Sequence, residues 1–236
     1  MAPLRQTLAR VLQSVAERLE PHREIDQRAL ARQIVGGMWD EMGERQLTFL
    51  ASRGLQPTDR LLDVGCGALR GGLHFVRYLD AGNYYGIDAQ QWLLDAGREE
   101  LAEAGLADRA PHLLCDATFD FARFGATFDV ALAQSVFTHI NLNAIHRCLV
   151  RVSEVLNPGA VFYATILENR GDAHDLSPRE FPQADLPTTI TFPDKNPFHY
   201  PVRFFADLIV GLPLRLEYIG EWGSLRGQSM LAFHRV

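Results

Sequence analysis

The run Leu61-Leu62-Asp63-Val64-Gly65-Cys66-Gly67 decides how this chain is read. Residues 60–64 form a short apolar stretch bounded by turn residues, which is the mark of a strand buried on both faces. The glycines that follow sit where a strand turns into a helix. A turn without Cβ atoms lets a ligand come close to the backbone. Outward from this point, helical and strand-like stretches alternate. A helix runs to about Leu79, a strand covers 84–87 and a helix covers 90–104. Strands follow at 112–115 and 128–133, then a helix from about Asn141 to Leu156. A turn at Asn157-Pro158-Gly159 leads into a strand over 160–167. Such alternation predicts an α/β fold, a parallel sheet with helices on both faces. Further on, 202–210 reads as a helix, and 215–220 and 230–234 read as strands.

In an open α/β sheet, ligands bind beyond the carboxyl ends of the strands. Four signals fall at such ends in succession. The first is the glycine loop. The second is Asp88, just after the second strand, where an acid can accept both hydroxyls of a ribose. The third is Asp116, after the third strand, where a carboxylate can take the exocyclic amine of an adenine. The fourth is Gln134-Ser135, at the end of the fourth strand. Taken singly, each Asp can equally be a helix N-cap. A nicotinamide or flavin dinucleotide needs G-x-G-x-x-G/A, and here Arg70 stands at the third glycine position. The charge of Asp63 would also oppose a pyrophosphate, whereas it suits a cationic head such as an ammonium or sulfonium.

With these residues in view, 61–67, Asp88, Asp116 and 128–139 resemble the class I S-adenosylmethionine-dependent methyltransferases of the small-molecule type. The likeness covers roughly residues 36–165, and 227–233 resembles the closing strand of that fold. It implies a Rossmann-like, mostly parallel sheet of seven strands in the order 3-2-1-4-5-7-6. It also implies S-adenosylmethionine as cofactor and S-adenosylhomocysteine as product. By that resemblance Asp63, Gly65, Cys66 and Gly67 hold the methionine end, and Asp88 with Ala89 takes the ribose. Asp116 and Ala117 bracket the adenine, and Gln134 and Ser135 lie near the sulfonium and the sugar. The stretch Gly36-Gly37-Met38-Trp39-Asp40 resembles the N-terminal lid of such enzymes, with Trp39 over the cofactor. The division expected is a helical extension and lid over 1–54 and a methyltransferase domain over 55–236.

Methyl transfer is an in-line displacement that depends on alignment. An oxygen acceptor also needs its proton removed, a task suited to histidine. His139, just beyond the fourth strand, is the first candidate; capping the next helix or hydrogen-bonding a loop is its alternative role. His199 is the second, as a base or substrate contact, with an exposed loop position as its alternative. It lies in an irregular insert, 168–200, where neither helix nor strand is evident and where Pro178, Pro182, Pro187, Pro193 and Pro197 accumulate. Segments of this kind are often functional lids. Its Phe181, Phe192, Phe198 and Tyr200 can wall an apolar acceptor pocket, or simply pin the loop. Phe198, Tyr200 and Arg226 are the substrate-binding candidates. Arg226 can hold a carboxylate, or pair with Glu221. His139 and His146, with Asp129 and Glu168 at strand ends, do not have the spacing of a recognised ligand set, so no metal is expected.

The 236 residues are 47% apolar and carry a net charge of −6, with all but one of the 23 basic residues arginine and scattered. That balance suits a soluble globular domain and argues against nucleic acid as a partner. Three cysteines without close pairing read as free thiols in a reducing compartment. Neither a membrane span nor a secretory signal is read, so the expected place is the cytoplasm. Leu4, Leu8, Val11, Leu12, Val15 and Leu19 form a helical stripe that packs on its own domain or pairs two chains as a homodimer. The reading is therefore a methyltransferase acting on oxygen or nitrogen of a small molecule. Its alternatives are a protein methyltransferase, another reaction of the same cofactor, and a non-catalytic binding module of this fold.

Overall fold

A computed structural model describes residues 26–172, 174–183 and 186–236. The stripe at 4–20, and with it the pairing of two chains, lies outside the described residues. The elements in order are α1 (Gln27–Ile34), α2 (Trp39–Ser52), β1 (Leu61–Val64), α3 (Gly72–Tyr78), β2 (Tyr84–Asp88) and α4 (Gln91–Glu103). Then come β3 (His112–Cys115), β4 (Phe128–Ala133), α5 (Leu142–Val155), β5 (Leu156–Ile166), β6 (Arg179–Gln183) and β7 (Leu186–Thr191). The chain closes with α6 (Arg203–Leu208), β8 (Leu214–Gly220) and β9 (Ser229–Arg235).

The main sheet runs β3-β2-β1-β4-β5-β9-β8, which is the seven-strand order that the family resemblance implied once the separate β6–β7 pair is set aside. Strands β1 to β5 are parallel, and β9 is antiparallel to both of its neighbours. Every residue of β1 is buried because helices cover both faces of the sheet. On one face α5 presents Ile145, Cys148, Leu149 and Val152, at helical spacing and fully buried, against Phe128, Phe162 and Phe233. Each such side chain contributes about 1.5–3 kcal/mol by leaving water. On the other face Leu61, Phe75, Tyr84 and Leu132 pack with Phe49 and Leu50 of α2.

Two expectations are corrected. The insert is not without regular structure, because β6 and β7 form a two-stranded antiparallel hairpin. Its proline content and single-hairpin length hide the strand pattern. The turn at 157–159 is absorbed into β5: the β4–β5 register slips between Phe128 and Val130, and Gly159 takes up the bulge at φ 84°. A third point concerns the start of α5, where Asn141 accepts the Ala144 N–H at 3.0 Å. The cap is thus Asn141, and His139 is released from that role.

Helix α1 lies across the glycine-loop end of the sheet. Its N-cap is Asp26, which accepts the Arg28 and Ala29 amides at 3.1 Å. Ala31 is fully buried against Ala68, Leu93 and Ala96. Arg28 and Arg32 both reach Glu100 of α4, whose side chain is buried, with Arg32 the closer at 2.6 and 2.7 Å. Burial pushes the Glu100 carboxyl up, and the bonds from Arg32 and Arg28 overcome this to hold it below its ordinary range.

Candidate functional site

The glycine loop takes its shape from β2. Gly65 and Gly67 have φ of 71° and 55°, a left-handed conformation that other residues adopt only at a cost. A Cβ on Gly65 would lie 2.5 Å from Val136, and one on Gly67 2.8 Å from Val35. The Gly65 and Cys66 amides both donate to the Ile87 carbonyl, at 2.8 and 3.1 Å. The Gly67 amide donates to Asp88 Oδ2 at 3.0 Å. All three loop amides are therefore spent within the protein. A phosphate-binding loop keeps such donors free for the anion, so this loop is built for something other than a pyrophosphate.

The acids stand where the sequence placed them. Asp88 accepts Gly67 N–H on one oxygen and Gln90 N–H on the other, the second at 2.8 Å. Burial raises its carboxyl above the ordinary range, and the backbone donors from Gln90 and Gly67 oppose this. Asp63 is buried in the sheet face and accepts the Tyr84 hydroxyl at 2.7 Å. Burial pushes its carboxyl up to about 7; the Tyr84 bond opposes the shift and the charge of Asp88 adds to it. Asp63 is thus only partly charged near neutrality, and an arriving cation would draw it to the ionised form. Cys66 buries its side chain, so the loop meets a ligand there through backbone alone.

Asp116 is engaged by its own turn. Its carboxylate accepts the Thr118 amide and hydroxyl, the Asp120 amide and Arg123. Ala117 and Ala89 lie exposed on the same rim. Trp39 opens α2, half-buried, with the Arg32 guanidinium 4.8 Å from its ring centroid. At the end of β4, Gln134 donates to Gln228 Oε1 (3.0 Å) and Ser135 Oγ (3.1 Å), and Ser135 Oγ donates to the same Gln228 oxygen. Gln134 Oε1 is buried without a partner among the described residues. Ser135 is held at φ 59° and its amide donates to Thr165. Strain of this kind gathers at functional sites.

Two arginines, Arg70 buried and Arg226 half-buried, tie the segment after α1 over this loop. Arg70 donates to the carbonyls of Val35 (2.8 Å) and Gly37 (3.1 Å), and Arg226 to that of Gly36. Burial lowers both guanidinium groups, Arg70 to about 9, with Arg226 nearby adding to its shift and Asp63 opposing it. The expected Arg226–Glu221 pair does not form; Glu221 turns back to the Gly223 amide. Read as a cofactor lid, the clasp makes a prediction. Arg226→Ala removes a charged hydrogen bond of about 1.5–3 kcal/mol, so S-adenosylhomocysteine affinity is expected to fall roughly tenfold. Calorimetry giving an unchanged Kd would show that the clasp does not serve ligand retention.

On the other side of the cleft, the strand-like run 196–200 is strapped beside 138–140. Phe198 N–H donates to the Thr138 carbonyl at 2.7 Å, and the Tyr200 hydroxyl to the Ile140 carbonyl at 2.8 Å. This strap sets Asn196 Oδ1 2.7 Å from Nδ1 of His139, whose ring is exposed at the cleft. Desolvation by the protein packed around the ring's inner side lowers its pKa; the Asn196 bond works against this and the charge of Arg226 adds to it. His199 is not the exposed loop residue of the alternative reading. It is buried, with Nδ1 2.7 Å from Thr191 Oγ1 and Nε2 unpartnered among the described residues. Tyr200 is core, stacked on half-buried Phe198 at 5.6 Å between centroids. Its place is therefore that of the pin rather than of an open pocket wall.

Two residues with a part in this arrangement have no role assigned by the sequence: Arg70 and Asn196. Arg70 was seen only as a failed third glycine, and Asn196 carries no local signal at all. Among the described residues, no three His, Cys, Asp or Glu side chains converge as a metal site, and all three cysteines are free.

Residues 62–162 match the profile of a methyltransferase domain family. Residues 62–162 thus form a methyltransferase domain, carried on a sheet of Rossmann-like strand order. The fold is similar to that of DesVI from Streptomyces venezuelae, at 19% identity and a TM-score of 0.62, covering 91% of this chain and 100% of that one. It is similar to an amino pentose methyltransferase from Micromonospora echinaspora, solved with S-adenosylmethionine, at 14% identity and 0.62, covering 92% and 100%. A glycopeptide N-methyltransferase complexed with S-adenosylhomocysteine is similar at 16% and 0.58, covering 84% and 90%. The matched part of the methyltransferase domain begins in β1 and ends in β5. The segment held by Arg70 and Arg226, the β6–β7 hairpin and the 196–200 strap all lie outside it. Among the described residues, no helix is long and apolar enough to cross a membrane.

Proposed function

We propose that this methyltransferase moves the methyl group of S-adenosylmethionine to an oxygen or nitrogen of a small molecule. His139 at the carboxyl end of β4 carries the acceptor half of this reading. Asn196 accepts from Nδ1, which leaves the Nε2 lone pair free to take a proton. The lowered pKa keeps that ring neutral at physiological pH.

The residues present fit the cofactor. The loop amides are closed to anions, a buried acid lies beneath, and the orphaned Gln134 oxygen accepts a ligand donor. When bound, the cofactor supplies a methyl group on a positively charged sulfur that retains the bonding electron pair. Asp63, Gly65 and Gly67 would hold its amino-acid end and Asp88 the ribose. Ala117 and the Asp116 turn would form the adenine rim, with the carboxylate shaping that turn. His139 accepts the proton released by the acceptor. Support for a small acceptor comes from the amino pentose and glycopeptide methyltransferases of similar fold.

Titration calorimetry with S-adenosylmethionine and S-adenosylhomocysteine, followed by labelled methyl transfer to a panel of small acceptors, tests this. Binding of both and transfer to one member are expected. A folded protein that binds neither overturns the reading.

A further inference from the structure

The aromatic residues of the insert do not make an apolar slot. Tyr200 is core, Phe198 stacks on it, and Phe192 lies under the Lys195 ammonium, 4.1 Å from its ring centroid. What the insert does form is a cavity of about 550 Å³ between the end of β5, the β6 strand and the start of β9. Its walls include Glu168, Arg170, Arg179, Glu180 and Ser229, with Phe181 the single aromatic side chain among them. This size is that of a small-molecule site. Two of its lining residues, Gly227 and Ser229, flank Gln228, whose side chain bonds Gln134 and Ser135 at the end of β4.

Glu168 is the oriented group in this wall. The Tyr218 hydroxyl (2.6 Å), the Ser229 hydroxyl (2.9 Å) and Arg170 Nε (3.2 Å) all donate to the same oxygen, Oε2. Three donors on one oxygen fix the carboxylate plane and leave Oε1 with no protein partner among the described residues. Arg179 is held beside it by Asp175 at 3.0 Å and packs against Gly171. Its Nε is buried and unpartnered among the described residues. The cavity thus offers a fixed acceptor in Glu168 beside the guanidinium groups of half-buried Arg179 and solvent-exposed Arg170, with one aromatic edge. A flat aromatic or a fatty acceptor would strand these groups, at about 1–3 kcal/mol for each one buried without a partner. Adjacent hydroxyls, each both donor and acceptor, satisfy them.

We propose that this cavity is the acceptor pocket and takes a polyhydroxylated, sugar-class small molecule, read by Glu168 Oε1 and the guanidinium groups of Arg170 and Arg179. The proposal rests on the methyltransferase reading above and specifies the acceptor of that same reaction. It is tested on the full chain in two stages. Calorimetry with S-adenosylhomocysteine comes first, because failure to bind removes the methyltransferase reading itself.

With binding in hand, labelled methyl transfer is measured against a panel of free sugars, amino sugars and sugar nucleotides, and against monohydric phenols and fatty acids. Transfer to the hydroxylated set alone is expected. On the best acceptor, Glu168→Gln is expected to raise KM at least tenfold while the S-adenosylhomocysteine Kd holds. Arg170 is highly exposed, so Arg170→Gln serves as the variant whose folding is not at issue, with a severalfold rise in KM. Transfer to a monohydric phenol or fatty acid, transfer to no member of the sugar set, or an unchanged KM in both variants overturns the proposal.

Discussion

Asp88→Ala is expected to weaken S-adenosylhomocysteine binding by two orders of magnitude or more. The carboxylate holds the Gly67 amide on one oxygen and the Gln90 amide on the other, and so fixes the glycine loop against the end of β2. On the proposed reading its remaining lone pairs would take the ribose hydroxyls. Charged hydrogen bonds contribute about 1.5–3 kcal/mol each, and the loss of two such contacts to the ligand corresponds to at least about 100-fold in Kd. Because the same carboxylate braces the loop, the melting temperature is also expected to drop by several degrees. Asp88→Asn separates the two effects. It retains an acceptor for one amide and recovers part of the stability, while ligand affinity stays low for want of the charge. Calorimetry on folded Asp88→Ala showing a Kd within twofold of wild type would remove Asp88 from the cofactor site.

The second large effect concerns His139. A positioned general base is worth about 10²–10⁴ in rate, so His139→Ala is expected to lower kcat by that factor with the cofactor Kd unchanged. The pH profile carries the sign. The surrounding protein lowers the imidazole pKa from its ordinary value near 6.5. The base is therefore already free at neutral pH, and kcat/KM is flat there. It falls as the pH drops through the lowered pKa and the ring takes up a proton. The bond to Asn196 works to raise that pKa. Asn196→Ala is thus expected to move the acid limb to still lower pH, and to slow the plateau because the ring tautomer is no longer set. A His139→Ala enzyme as fast as wild type, or an acid limb unmoved in Asn196→Ala, would leave His139 outside the chemistry.

Arg70 shows how one residue reads differently from the two sides. Along the chain it merely breaks a dinucleotide glycine pattern. In the fold it donates to two carbonyls 33 and 35 residues away. Together with Arg226, 190 residues from its own partner, it fastens the segment that crosses the glycine loop. Guanidinium groups reach carbonyls through space, and no spacing along a sequence records that.

Asp116 is the converse case. An acid after the third strand is visible in sequence, but the helix-cap and adenine roles need the same residue at the same position. The turn at Thr118 and Asp120 claims the carboxylate locally. The insert was misjudged for a related reason: β6 and β7 pair only with each other, so alternation is short and proline obscures it.

What this chain's sequence determines by itself is the run of buried strands and the glycine loop after the first of them; the order of the strands came from the family resemblance. Buried parallel strands need continuous apolar runs, and a left-handed turn needs glycine, so both are local demands that residue type records. The positions of Asp63 and Asp88 follow from the same local rule. Tertiary structure alone decides which groups at those strand ends are free. It spends the loop amides on Ile87 and Asp88, buries His199 and Tyr200, brings Asn196 to His139 and gathers three donors onto one oxygen of Glu168. The availability of a hydrogen-bonding group depends on who its neighbours in space are, and those neighbours come from every part of the chain.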